Sequence, residues 1–354
     1  MGANVRSMKT PYTIGVIGAG TMGAGIAQGG VVAGLSVVMI DVDEERLVRA
    51  RNAISDGLER MLNKAASPAG DRGAVLDRLR GATDYEALRA CDFIIEAATE
   101  NEALKIAILQ RIDAVAPDDA IVATNTSSIS IGRLAATAKR PHAFVGMHFF
   151  NPVAVMHLVE VVRGPKTDDA TVDAAVALAK QLGKTAVVVK DAPGFVVNRL
   201  LCPMLNEAVI AHSQGIASAS DIDEAMKLGC NHPIGPLALC DLIGLDVVLA
   251  VMKVFHHDFG DPKYRPAPLL EEVVAALAQR VPEQDGALRE IDGVLRRTGG
   301  ELPRQRGIRL CGTGCGLERR FHPSAVLIKC QLRAALQHLC DLRGNVVAIR
   351  KLFG

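Results

Sequence analysis

Tryptophan is absent from this sequence, and aromatic residues make up only 3% of its 354 positions. Its cores must therefore be built mainly from Val, Leu, Ile and Ala, within a hydrophobic fraction of 49%. That fraction suffices for sizeable cores and, with no charge excess, argues against a disordered chain. Forty Lys and Arg stand against 39 Asp and Glu, for a formal net charge of +1. Nucleic acid and anionic membrane are thus not expected as main partners. No apolar run of transmembrane length with its flanking signals is apparent, and no secretory signal precedes the first domain.

The length suggests two domains, or two plus an appendage. The opening MGANVRS is polar and reads as an unstructured leader or a misplaced start, since the domain begins equally well from Met8. Of the eight cysteines, Cys91, Cys202, Cys230 and Cys240 lie in apolar stretches and are expected to be buried thiols. A reducing cytoplasm is the natural setting for such a chain.

Thr13 to Ile17 is a compact, β-branched run that predicts a buried strand. Gly18-x-Gly20-x-x-Gly23 follows at once, then a small-residue helix, then a second strand ending at Asp41. This is the order of a dinucleotide-binding unit of the Rossmann type. Gly18 lets the chain turn, Gly20 lets a pyrophosphate approach the backbone, and Gly23 allows close helix–strand packing. The phosphates then meet free amides at the positive end of the helix. Asp41 would accept hydrogen bonds from ribose hydroxyls and repel a 2′-phosphate, which favours NAD over NADP.

The sheet is expected to continue through residues 91–98 and 120–128, with a helix between them whose Leu104, Ala107, Ile108, Ile112 and Val115 lie near one face. Between Asp41 and Cys91 a charged segment with helical patterns exceeds a bare crossover and is a candidate lid or substrate-facing element. Within it, Lys64 fits either a contact to a substrate phosphate or a solvent-facing lysine.

Residues 143–161, AFVGMHFFNPVAVMHLVEV, form two apolar strands around a turn at Asn151-Pro152. Glu160 stands among valines, where an unpartnered carboxylate is costly. A pair with His148 removes that cost. It would also fix the imidazole tautomer and stabilise the imidazolium formed when His148 takes a proton from a substrate hydroxyl. From spacing alone, His148 also fits a hydrogen-bonded core histidine. His142 and His157 have no equally suggestive setting.

The strings IGVIGAGTMGAGIA, FIIEAATEN, ATNTSSISI, GMHFFNPVAVMHLVEVV, KDAPGFVVNRL and HPIGPLALCDLIGLD cover about residues 12–270. In this order and spacing the chain resembles the L-3-hydroxyacyl-CoA dehydrogenase family, most closely its bacterial 3-hydroxybutyryl-CoA branch. The resemblance implies His148 as general acid/base, Glu160 as its orienting carboxylate and Ser127 as a contact to the substrate's 3-oxygen. It implies Asn198 as a holder of the thioester or of the histidine, with Asn151 in the surrounding shell. Gly18, Gly20, Gly23 and Asp41 match NAD-binding positions. Glu100, Lys105 and Asn125 match positions around the nicotinamide half. The implied reaction is the reversible oxidation of a (3S)-hydroxyacyl-CoA, in butanoate or fatty-acid metabolism.

The expected organisation is a leader at 1–11, a Rossmann-type NAD-binding domain at 12–190, an all-helical substrate and dimerisation domain at 191–280, and a divergent tail at 281–354. In the helical part, Ser220 with Asp223 fits a capping box, Gly229 a helix end, and HPIGPLALCDLIGLDVVLAVMKVFHHDFG a turn and one long apolar helix. The resemblance implies a homodimer through this domain. The tail departs from the family: its Cys311, Cys315, Cys330, His338 and Cys340 do not resemble a regular zinc knuckle, and no metal is expected. It reads as a replaced or misread terminus, with a small interaction module as the alternative. Competing functions are a dehydrogenase for a related hydroxy acid or carrier-bound hydroxyacyl group, and a non-catalytic dinucleotide-binding protein.

Overall fold

The computed structural model describes residues 12–64 and 72–279. The leader, the break at 67–71 and the tail beyond residue 279, including its Cys and His residues, lie outside the described residues.

Among the described residues, eight strands form one sheet: β1 (Thr13–Ile17), β2 (Ser36–Ile40), β3 (Leu79–Ala82), β4 (Phe93–Glu96), β5 (Ile121–Thr124), β6 (Phe144–Phe149), β7 (Leu158–Arg163) and β8 (Thr185–Lys190). Their order is β3-β2-β1-β4-β5-β6-β7-β8. Neighbours run parallel except β6 and β7. The sequence of the central strands is continuously apolar because both faces are covered. Ile14, Val16, Val37, Met39, Phe93 and Ile95 point into one core, while Ile17, Val38, Ile40 and Ile94 point into the other.

Helices α1 (Thr21–Val32), α2 (Glu44–Lys64), α3 (Arg72–Leu76), α4 (Glu102–Val115), α5 (Ile131–Ala135) and α6 (Asp169–Gln181) belong to this layer structure. The close approach expected of α1 is met at Gly30, where a Cβ would lie 2.8 Å from both Ile14 and Val37. The segment read as a candidate lid or substrate-facing element is also built into the fold. Its helix α2 buries Leu47, Ala50, Ile54 and Leu58 in the first core, and β3 extends the sheet beside β2. The helix α4 also departs from expectation: Leu104 is exposed and Lys105 is buried, because an ion pair draws the lysine inward.

Beyond the sheet come the helices α7 (Val197–Ser213), α8 (Ala219–Cys230), α9 (Pro236–Ile243), α10 (Leu245–Phe259) and α11 (Pro268–Gln279); all but α8, which buries no residue, contribute to a third core with Cys202, Leu205, Val248, Met252, Phe255 and Leu270. The expected single long helix is two, divided at Gly244, whose φ of +104° no regular helix accommodates. The cap of α8 is Ser218, whose hydroxyl accepts from the Asp221 amide, rather than Ser220. Asp223 instead caps α9 by accepting from the amides of Leu237 and Ala238. Gly229 lies within α8, which ends at Asn231 in the left-handed region. Cys91, Cys202 and Cys240 are buried, but Cys230, in the last turn of α8, is exposed.

Candidate active site

The parallel strands place their carboxyl ends on one side, and the order changes direction between β1 and β4. Ligands of open α/β sheets bind at such a switch point. Gly18, just after β1, has φ +102°, and a Cβ there would lie 2.6 Å from Ala98 Cα and 2.7 Å from the Ala97 oxygen. At Gly23 a Cβ would lie 1.8 Å from the Gly18 carbonyl oxygen, so α1 folds back on the turn only with glycine there. Gly20 precedes α1 and is exposed, and a Cβ there would meet nothing within 4 Å. The two outer glycines are thus demanded by the chain itself. The middle one opens on free space before a helix N-terminus, where a pyrophosphate fits.

Asp41 follows β2, with its side chain only 8% exposed. Its Oδ2 accepts from the Ala19 amide at 2.7 Å and its Oδ1 from the Val42 amide at 2.8 Å. The carboxylate therefore braces the glycine turn from the end of the neighbouring strand. A glycine turn, a free helix end and this carboxylate together suit a dinucleotide.

His148 and Glu160 are direct partners in the antiparallel β6–β7 pair, and both are buried. His148 Nδ1 lies 2.7 Å from Glu160 Oε2. The carboxylate only accepts, so Nδ1 carries a proton, and in the neutral imidazole it is Nε2 that keeps its lone pair. Glu160 Oε1 accepts from the amides of Val196 and Val197 at 3.0 and 2.9 Å, at the start of α7. Burial by itself raises the Glu160 carboxyl. The bonds to His148, Val197 and Val196 more than offset this and hold it below the ordinary glutamate value. Asn198 sits half-buried in the first turn of the same helix.

Aromatic rings enclose the imidazole. Phe150 lies 4.4 Å and Phe195 5.6 Å from it between ring centroids. Phe195 has φ +50°, an uncommon conformation for a bulky residue and a strain that persists where surroundings over-determine it. The sequence offers no cue to this role beyond the Pro193-Gly194 turn. Asn151 is exposed in the β6–β7 turn, and Val153 beyond it packs where a Cβ on Gly25 of α1 would lie. The hairpin that carries His148 and Glu160 thus rests on the helix that follows the glycine turn.

The turn after β5 carries Asn125, Thr126, Ser127 and Ser128. Asn125 Oδ1 accepts from the Phe149 amide at 2.9 Å, next to His148. Ser127 Oγ lies 3.1 Å from Glu100 Oε1. Lys105 directs its ammonium into the interior, 2.6 Å from Glu96 Oε2, 3.4 Å from Thr124 Oγ1 and 3.9 Å from Glu100 Oε2. Glu96 is fully buried and was not anticipated, because an acidic residue ending an apolar run reads as the strand's exposed end. Lys64 closes α2, and its side chain lies outside the described residues.

A glycine turn suited to a dinucleotide, beside a buried His–carboxylate pair, defines a nicotinamide-dependent dehydrogenase. Residues 13–192 match the NAD binding domain of 3-hydroxyacyl-CoA dehydrogenase, and residues 194–296 match its C-terminal domain. The chain belongs to the 3-hydroxyacyl-CoA dehydrogenase family. It is 46% identical to the 3-hydroxybutyryl-CoA dehydrogenase of Bradyrhizobium diazoefficiens, over 74% of this chain and 90% of the relative. A 3-hydroxybutyryl-CoA dehydrogenase of Clostridioides difficile is 45% identical over 74% of this chain and 94% of the relative. The crystal structure of (S)-3-hydroxybutyryl-CoA dehydrogenase from Ralstonia eutropha superposes with a TM-score of 0.74 at 54% identity, covering 75% of this chain and 94% of the other. No described helix is long and apolar enough to cross a membrane.

Proposed function

We propose that this chain catalyses the reversible NAD-dependent oxidation of (3S)-3-hydroxybutyryl-CoA, and of related short-chain 3-hydroxyacyl-CoA, to the 3-ketoacyl-CoA. The observation that carries the reading is the buried His148–Glu160 pair beside the dinucleotide turn. His148 Nε2 takes the proton of the 3-hydroxyl, and Glu160 keeps the ring in that tautomer and stabilises the imidazolium. Ser127 holds the 3-oxygen. Asn198 holds the thioester or the histidine. NAD, when bound, supplies the acceptor for the hydride that leaves the same carbon. Glu100 and Asn125 face the nicotinamide half, Lys105 supports them from the buried side, and Lys64 meets a phosphate of CoA. In the reverse direction the imidazolium returns its proton to the reduced oxygen.

The reading includes a homodimer through the helical domain. Leu200, Ile216 and Leu228 support it, being 69%, 71% and 77% exposed on α7, in the turn after it and on α8. It sets the enzyme in a reducing cytoplasm, which suits the free thiols of Cys91, Cys202, Cys230 and Cys240.

The test follows NADH absorbance with acetoacetyl-CoA, with His148→Gln measured in parallel. NADH oxidation by the parent and a loss of ~100-fold or more in the variant are expected, the size of a general acid–base contribution. A folded parent that leaves NADH untouched would overturn the activity. Activity on the free acid or a carrier-bound thioester but not on the CoA thioester would reassign the substrate.

A further inference from the structure

Five donors converge on a single carboxylate oxygen, Glu100 Oε1. They are Thr126 Oγ1 at 2.7 Å, Ser127 N at 2.9 Å, Ser127 Oγ at 3.1 Å, Ser128 N at 3.1 Å and Ser128 Oγ at 3.0 Å. Two consecutive amides aimed at one point make a small anion-binding concavity. Here it is filled from within, by a residue of the loop after β4. The Glu100 side chain is 43% exposed, yet this one oxygen is oversupplied with donors.

A carboxylate has roughly four lone-pair sites on two oxygens, so one oxygen cannot satisfy five donors together. The Ser127 and Ser128 amides are set by the backbone. Thr126 Oγ1 itself accepts from the amides of Ser128 and Ile129, at 3.3 and 3.0 Å, so its own proton goes to Glu100. These three donors saturate the oxygen and leave two hydroxyls in surplus, those of Ser127 and Ser128. The Ser127 hydroxyl is held in place by the turn but remains free to give its proton to another acceptor.

We infer that Glu100 is a positioning residue for Ser127: it fixes the Thr126–Ser128 turn through the two amides and the Thr126 hydroxyl, and so presents the Ser127 hydroxyl to the substrate's 3-oxygen. The inference rests on Ser127 being that contact. Glu100 then acts on the substrate through the turn as well as bordering the cofactor. Asn125, bound to the amide of Phe149, ties the same turn to the strand that carries His148.

The test is a double-mutant cycle of Glu100→Gln and Ser127→Ala, read as kcat/KM for acetoacetyl-CoA at saturating NADH, with NADH affinity measured by fluorescence on each protein. Glu100→Gln is expected to lower kcat/KM by ~10-fold or more when Ser127 is present, the scale of hydrogen bonds to a charged group. In the Ser127→Ala background the same change should cost about 2-fold or less, the signature of coupled residues. Equal losses in both backgrounds, or an NADH affinity that falls by the same factor as kcat/KM, would overturn the inference. An inactive parent, or a Ser127→Ala variant as active as the parent, is instead a failure of the underlying reading. If Glu100→Gln does not fold, Glu100→Asp, which keeps the charge and shortens the reach, replaces it in the same cycle with the same two outcomes.

Discussion

Glu160 Oε2 lies 2.7 Å from His148 Nδ1, and its other oxygen caps the start of α7 through the amides of Val196 and Val197. The pairing follows from strand geometry. Residues directly opposite in an antiparallel pair share a face, with Cβ atoms about 5 Å apart, so register alone brings the two side chains together. One carboxylate thereby orients the imidazole and anchors the helix that bears Asn198. Glu160→Gln should lower kcat by ~100-fold or more, if the imidazole loses its orientation as well as its counter-charge. Steady-state kinetics checks this, and an unchanged kcat in a folded variant would remove Glu160 from the chemistry.

The same carboxylate makes the fold sensitive to acid. Its folded value is depressed, so its stabilisation is fully present above the unfolded value of about 4.3 and is lost as the pH falls through the lower folded value. Glutamine does not titrate. The difference in Tm between the parent and Glu160→Gln should therefore be widest near neutral pH and narrow below about pH 4.3. A difference that stays constant across that range would contradict the linkage.

Gly23 tests the cofactor turn separately from the histidine. A Cβ at this position would lie 1.8 Å from the Gly18 carbonyl oxygen, and backbone is the group that must give way. Gly23→Ala should displace the turn from the start of α1 and weaken NADH binding by ~10-fold or more, equivalent to about 1.4 kcal/mol. Titration by NADH fluorescence measures it. Gly20→Ala is the informative contrast. Its Cβ meets no protein atom within 4 Å, so it should leave Tm unchanged while obstructing the dinucleotide.

Much of this was legible in the residues, for physical reasons. Buried parallel strands write themselves as continuous apolar runs, and the glycine turn and Asp41 stand at a spacing that chain geometry imposes. The hairpin gave away the His148–Glu160 pair because a lone carboxylate among valines needs a partner. What stayed hidden depends on contacts distant in sequence. Lys105 lies four residues after an exposed asparagine cap, and periodicity cannot reveal that Glu96 draws it inside. Ser218 and Ser220 both precede an aspartate by three residues, so the choice between them rests on Asp223 being engaged by α9. Phe195 gains its place from the strained turn that brings α7 to Glu160.

Asp41 makes cofactor choice testable. On the proposed reading its carboxylate would repel a ribose 2′-phosphate; Arg46 Nη1 stands 3.8 Å from it with the guanidinium side chain 56% exposed. Removing the acid leaves that arginine available to a phosphate. Asp41→Ser should shift the ratio of kcat/KM for NADH over NADPH toward NADPH by ~10-fold or more, a change of about 1.4 kcal/mol. Some loss with NADH is expected as well, because the Ala19 amide loses its acceptor. The ratio is therefore the decisive quantity, and a ratio that does not move would show that Asp41 only braces the turn.

The buried pair of Lys105 and Glu96 separates stability from cofactor binding. Both side chains are within 1% of full burial, and Glu96 also receives the Thr124 hydroxyl and the Ala98 amide. Lys105→Met would leave a carboxylate without its counter-charge in the interior, at a cost of about 3–5 kcal/mol. A marked fall in Tm should follow. Changing both partners, as Glu96→Gln with Lys105→Met, removes the unpaired charge and keeps an acceptor for Thr124, so most of the Tm should return. NADH affinity then decides what Lys105 does. If it recovers with Tm in the double variant, the lysine serves the cofactor only by keeping the 97–100 loop in place. If Tm returns while affinity does not, the ammonium serves the nicotinamide half by acting on Glu100, which it approaches to 3.9 Å.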